Sequence, residues 1–315
     1  MERAAPQIID IGQLSRNRDR AAQGFENYNF LKREASQRLS ERLFLIKGGF
    51  SSVLDVGCHT GELGACLSSD GHLSSETQFT QLELSSEMAA LASHHHPASV
   101  TDMDVLPVDR GQFDLVMSSM FLHWVNDLPG LLSQMRLALK PDGLLMVSLL
   151  GGRSLTELRQ SLVAAETEVK GGMSPHCLPM ADIADLGGLL QRAGFALPVA
   201  DAELIEVHYP DMFRLMADLR GMGEQNALIG RQKGMSSRAV FFRAAEIYAE
   251  HFSTASGQIK ASFELITLTA WSPSENQPKP LRPGSAEHRL SDALESDEIT
   301  VNPETGLASP SSGKG

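Results

Sequence analysis

Apolar positions along this chain recur with two different periods. In the stretch NYNFLKREASQRLSERLFLI (27–46), Phe30, Leu31, Ala35, Leu39 and Leu43 recur every three or four residues, which predicts an amphipathic helix. From residue 52 onward, short apolar runs alternate with helical patterns. Strands are expected at 53–56, 79–84, 113–118 and 144–150, with a shorter one at 100–102. Helices are expected at 62–68, 86–94 and 128–139. This alternation predicts βαβ units and a mostly parallel sheet in an α/β fold. In KPDG (140–143), Pro141 stops the preceding helix and Gly143 permits the turn into the next strand. Further helices are expected at 154–169 and 181–193, where Gly194 is the stop signal. Strands six and seven follow at 202–209 and 261–271, with a helical lid at 211–250 between them.

The pattern fades at both ends. Residues 1–24 are polar, carry Arg16, Arg18 and Arg20, and read as a flexible arm before a domain spanning 25–271. Residues 272–315 are rich in Pro, Ser, Gly and acids and lack aliphatic clustering, so a disordered tail is expected. In the lid, Met212, Leu215, Met216 and Leu219 form one apolar stripe, and Arg214 and Arg220 stand off it. The segment 221–237 is long, glycine-bearing and weakly patterned. It is expected to order on contact with a partner protein docked over the lid.

Composition narrows the function. The 315 residues carry a net charge of -12, which argues against a nucleic-acid binder. No apolar run approaches the ~20 residues of a membrane span. Cys58, Cys66 and Cys177 stand apart without a CxxC pair, which suggests a reduced, cytoplasmic setting. His94, His95 and His96 are adjacent, so their side chains do not converge on one ion, and no metal site is expected.

The candidate chemistry begins at SVLDVGCHTGELG (52–64), a strand running into a glycine turn and then a helix. Gly57 and Gly61 lack a Cβ and let backbone N–H groups approach a ligand. Asp55 ends the first strand. Glu83 ends the second, about twenty residues past the loop, where a carboxylate accepts the hydroxyls of a ribose. Asp102 is expected to close the third. Three acids at strand ends suit an adenosine ligand without phosphate, since they would repel a pyrophosphate. His123 and Trp124 follow the fourth strand at the mouth of the expected cleft, where His123 is a candidate base or positioning group. Tyr28, on the first helix, is a candidate gate. His176, in the turn-rich loop GGMSPHCLP (171–179), is a candidate substrate contact.

Asp55-x-Gly57-x-x-x-Gly61, Glu83, Asp102 and KPDG together resemble the class I S-adenosylmethionine-dependent methyltransferases. The resemblance implies a Rossmann-like class I methyltransferase fold of seven strands, the seventh antiparallel. It also implies S-adenosyl-L-methionine as cofactor. Asp55 and the 57–61 loop would face its methionine part, Glu83 its ribose and Asp102 its adenine amino group, with Met103 beside the ring. Cys58, His59, Leu84 and Ser118 complete the cofactor-binding set. His59 departs from the family loop, which carries glycine there. Its Cβ would push the ligand or the loop outward, unless the ring turns away from the site.

Longer stretches, SSMFLHWVNDLPGLL, GGRSLTELRQSL, AETEVKGGMSPH and YPDMFRLMADLRGMGEQNAL, are similar to the complex I assembly branch of this superfamily, known as arginine hydroxylases, and to its alphaproteobacterial relatives. FDLVMSSMFLHWVNDL also resembles the malonyl-carrier-protein O-methyltransferases of biotin synthesis. The resemblance implies an enzyme acting on a protein substrate, an iron–sulfur subunit of respiratory complex I, by methyl transfer or arginine hydroxylation. The sequence shows no H-x-D…H iron-ligand set, so hydroxylation rests on the resemblance alone. The alternatives are malonyl-carrier-protein methylation and a non-enzymatic, cofactor-binding assembly chaperone.

Overall fold

In the computed structural model, which describes residues 7–234, 237–277, 299–301 and 308–310, the predicted alternation becomes one seven-stranded sheet. Its strands are β1 (Ser52–Val56), β2 (Gln78–Glu83), β3 (Ala98–Val100), β4 (Phe113–Ser119), β5 (Leu139–Leu150), β6 (Ala196–Tyr209) and β7 (Ile259–Trp271). The order is β3-β2-β1-β4-β5-β7-β6. The first five pair in parallel, and β7 runs antiparallel to both β5 and β6.

Side chains on β1 alternate between two cores, as the pleat requires. Leu54 and Val56 join a core with α5 (Leu128–Ala138) and α7 (Ile183–Arg192). Val53 faces the other side, with Leu39 of α2 (Phe30–Leu43) and Leu63 of α3 (Glu62–Ser69). All five residues of β1 are buried, because helices cover both faces of the sheet. A third core lies under the lid, between α6 (Thr156–Lys170), α8 (Met212–Gly221) and α9 (Arg238–Phe252). The expected stripe supplies it: Met212, Leu215 and Leu219 are buried and Met216 packs at its edge.

Several expectations change. The expected N-terminal arm contains α1 (Ile11–Ala22), which packs on α4 (Ser86–Ala92). Asp10 caps α1 by accepting from the Gln13 N–H at 2.9 Å. Its buried face is Leu14, Asn17, Arg18, Ala21 and Ala22, all but Leu14 polar or small, so it gives little apolar signal. Tyr28 lies in the turn before α2 rather than on that helix. β3 is a short edge strand pairing with residues 81–83, and it ends two residues before Asp102. KPDG forms a bulge inside β5, where Leu139 pairs with Phe113 and Leu144 with Leu115, and Asp142 takes a φ of 62°.

The 221–237 segment, expected to order only on contact, is pinned to the N-terminal residues. The Asp10 N–H donates to the Ala227 carbonyl and the Ile229 N–H to the Ile8 carbonyl, both at 2.8 Å. Residues 235 and 236 lie outside the described residues. The chain divides into two units, Met1–Ser274 and Glu275–Gly315. In the expected tail, Ser272 still donates its N–H to the Gly143 carbonyl at 2.8 Å. Farther on, β8 (Ile299–Val301) and β9 (Ala308–Pro310) pair antiparallel. The rest of the expected disordered tail, from 278, lies outside the described residues. Among the described residues, no helix is long and apolar enough to cross a membrane.

Candidate active site

The turn after β1 is shaped by close packing. Gly57 has a φ of 77°, and a Cβ there would fall 2.1 Å from Cγ of Phe121, so a side chain is excluded twice over. The N–H groups of Gly57 and Cys58 both donate to the Leu82 carbonyl, at 2.8 and 3.1 Å. Gly61, with a φ of 95°, turns the chain into α3. His59 accepts a left-handed φ of 55° between them. Its ring does not turn outward: it is 2% exposed and stacks on Phe25 at 5.6 Å.

Two acids and two bases meet around this turn. Asp55 and Glu83 are fully buried. Glu83 accepts from the N–H groups of His59 (2.8 Å) and Ser85 (3.1 Å) and from Nη1 of Arg18 (3.0 Å). The Arg18 guanidinium lies 4.9 Å from the centroid of the Phe121 ring. Lys32, also buried, donates to the carbonyls of Gly57 (3.1 Å) and Ser119 (2.6 Å) and directs its third N–H at Nδ1 of His59 (3.1 Å). Burial pulls the Lys32 ammonium below its ordinary pKa, against the pull of Asp55.

Asp55 is the exception in this network. Among the described residues neither of its carboxylate oxygens has a hydrogen-bond partner. Burial pushes its pKa up to about 7, although nearby Lys32 opposes the shift. A buried orphan carboxylate is costly, and it marks a place where a donor is missing.

Asp55, Gly57, Cys58, His59, Gly61 and Glu83 therefore converge at the C-terminal ends of β1 and β2. Burial drives the Cys58 thiol far up, so it is a packing group. Leu84 packs with Leu14 and Trp124. Met103 is buried beside Leu82 and Phe121 with a φ of 66°. Two expected ligands present no free group to this turn. Asp102 is exposed beyond β3 and accepts from the Asp104 N–H at 3.1 Å. The Ser118 hydroxyl is committed to the Val56 carbonyl at 2.6 Å.

Arg18 and Lys32 join the site without a motif that marks them in the sequence. Lys32 left a trace: Lys32, Ser36 and Ser40 are buried at a spacing of four, beside the apolar row of Leu31, Ala35 and Leu39.

A cavity of about 700 Å³ lies under the lid. Its apolar wall includes Leu150, Leu155, Leu158 and Leu162. Trp124 and Glu224 also line it, and Glu224 accepts from Nε1 of Trp124 at 2.6 Å and from Nε2 of His123 at 3.2 Å. The Leu150 N–H lies 3.5 Å from Nδ1 of His123. His176 also lines the cavity, held at 3.0 Å by Glu166 of α6. Tyr28 packs on Gly221, where a Cβ would fall 2.3 Å from its ring, and lines a smaller neighbouring hollow with Arg20 and Arg220. Trp124 and His176 thus line this cavity, His123 reaches it only through Glu224, and Tyr28 stands outside it. Glu224 lies in the GMGEQNAL stretch and carries no local sequence signal of its role.

The sequence profile described as "Methyltransferase domain" matches residues 25–198, and the chain belongs to that family, with its class I Rossmann-like fold. Within it, the chain is 36% identical over 289 residues to "Arginine-hydroxylase NDUFAF5, mitochondrial" of Danio rerio, covering 90% of this chain and 89% of that one. It is 34% identical over 278 residues to "Malonyl-[acyl-carrier protein] O-methyltransferase" of Methylovorus sp. (strain MP688), covering 84% and 90%. Among solved structures, the YcgJ protein of Bacillus subtilis shares the fold, with a TM-score of 0.52 and 12% identity, covering 75% of this chain and 98% of that one.

Proposed function

We propose that this protein binds S-adenosyl-L-methionine and modifies an arginine side chain of a protein substrate during assembly of respiratory complex I. The observation that carries the reading is the reach of the likeness to the arginine hydroxylase. The family profile stops at residue 198, whereas that likeness covers 90% of the chain. Three free cysteines, one of them fully buried, support a reduced, cytoplasmic setting.

The site fits the cofactor's chemistry. The orphaned oxygens of Asp55 suit the ammonium of its methionine part, and Glu83, fixed by two backbone N–H groups, suits the hydroxyls of its ribose. Arg18 already holds one oxygen of Glu83, so it would share or yield that position. Bound there, the cofactor supplies a sulfonium-activated methyl group. The chain's own part is to seat it on Asp55 and Glu83, keep water out with Phe25, Phe121 and the lid, and present the substrate through the cavity beside Trp124. His123, bonded to Glu224 and absent from the cavity lining, positions Glu224 rather than meeting the substrate.

One observation favours a second reading. Arg20 and Arg220 line the cavity, and among the described residues neither has an ion-pair partner. An anionic acyl group such as a malonyl thioester would suit them, and the malonyl-carrier-protein methyltransferase is a relative over most of the chain.

Calorimetric titration tests the cofactor half of the proposal. S-adenosyl-L-methionine is expected to bind the wild type at one site. Glu83→Gln should weaken it by about 1–3 kcal/mol, the value of a charge-assisted hydrogen-bond pair. A wild type that binds no cofactor would favour the assembly-chaperone reading instead.

A further inference from the structure

We infer that Glu224 receives the substrate's side chain, and that the cavity is built for a long basic side chain whose guanidinium pairs with this carboxylate. The inference rests on the arginine reading above and names the residue and charge type that select the substrate.

Among the described side chains lining the cavity, Glu224 is the one carboxylate. Its side chain is only 9% exposed. Both of its hydrogen bonds, from Trp124 and His123, fall on Oε2. Oε1 has no hydrogen-bond partner among the described residues. One oxygen is thus fixed by two donors while the other is left for a ligand. Such a carboxylate is pre-organised and does not reorient on binding.

The group is also charged. Burial acts against the carboxylate, but the His123 ring, its hydrogen bond, Arg18 and the Trp124 bond hold it below the ordinary carboxylate range. A buried anion beside an apolar wall favours an incoming cation, and a guanidinium matches it with a planar fork of donors. The stem of such a side chain is apolar and needs apolar walls. Leu150, Leu155, Leu158, Leu162 and Phe241 supply them. A neutral acyl chain would fit the same walls and leave Glu224 unpaired, and a carboxylate-bearing one would be repelled by it.

The basic residues of the lining do not reverse this. Arg231 is paired with Asp10 at 2.9 Å. Arg20, Arg220 and Lys233, which also line the cavity, are exposed, where salt screens charge over about 8 Å. Glu224 lies deeper, where screening is weak. The exposed arginines then suit acidic residues flanking the substrate arginine in its own chain.

The test uses the full-length protein and two synthetic peptides with neutral flanking residues, one carrying a single arginine and the other citrulline at the same place. Citrulline keeps the shape and loses the charge. Binding of each is measured by fluorescence anisotropy. The wild type is expected to prefer the arginine peptide by about 10-fold to 100-fold, the range of a charge-assisted pair. Glu224→Gln should bring the ratio close to one, while Glu224→Asp, which keeps the charge, should retain part of the preference. If the wild type prefers arginine and Glu224→Gln keeps the full preference, the Glu224 assignment is overturned while the arginine reading stands. If the wild type shows no preference, or binds neither peptide, both are overturned, and this outcome needs no variant to fold.

Discussion

Asp55 and Glu83 are acids of one site with different environments, and pH separates them. The Asp55 carboxyl is raised from 3.8 to about 7, with burial as the main cause. Between these values the folded chain keeps a proton that the unfolded chain has released. The stability of the ligand-free protein should therefore fall as pH rises through this window and level off above about 7. Urea denaturation should show a loss on the order of 2–4 kcal/mol between pH 4 and 7.5, absent in Asp55→Asn. A cofactor ammonium needs the charged carboxylate, so its binding should release a proton below pH 7. Identical pH profiles for wild type and Asp55→Asn would contradict the assignment.

Arg18 gives a second measurement. Arg18→Met leaves the buried Glu83 without its cation and should cost about 3–5 kcal/mol in the ligand-free protein, read by the same denaturation. An unchanged midpoint would show that the pair contributes nothing net. The two acids were legible in the sequence because each ends a strand at a recognisable place. Arg18 was not, since its partner lies 65 residues away and the pairing follows from tertiary contact alone. Glu224 was hidden for the same reason, its two donors lying 100 and 101 residues earlier.

Whole elements were legible where one face is apolar. Strands β1, β2, β4 and β5 and the lid stripe follow from periodicity, because burial there is achieved with Val, Leu, Met and Phe. α1 was misread because its inward face includes Asn17 and Arg18, which are satisfied or neutralised only by the folded site. Asp102 was misplaced because β3 is an edge strand of three residues, too short to show its own boundary. α1 is thus part of the site rather than an appendage. Deleting residues 1–23 should lower the melting temperature and weaken cofactor binding. Hydrogen exchange on the intact chain should find slow amides within Ile11–Ala22. Fast exchange throughout α1, or a deletion as stable as the full chain, would restore the flexible-arm reading.

Across the molecule, net charge and local field point in different directions. The chain carries -12 overall, yet Arg18 and Lys32 enter the buried turn and Arg20 and Arg220 line the cavity. Bulk composition was therefore silent about the site. The fold class was legible as an alternation of elements. The cavity was not, since its walls come from α1, α6, α8 and loops far apart in sequence. If this chain changes a protein arginine with the help of its cofactor seat, that change is readable as a mass on the substrate. The direct measurement is mass spectrometry of the complex I iron–sulfur subunits from cells with the protein, without it, and with Glu83→Gln in its place. One arginine-containing peptide should carry an added methyl group or an added oxygen when the wild type is present, and lose it in the other two. Identical peptide masses in all three would contradict the claim.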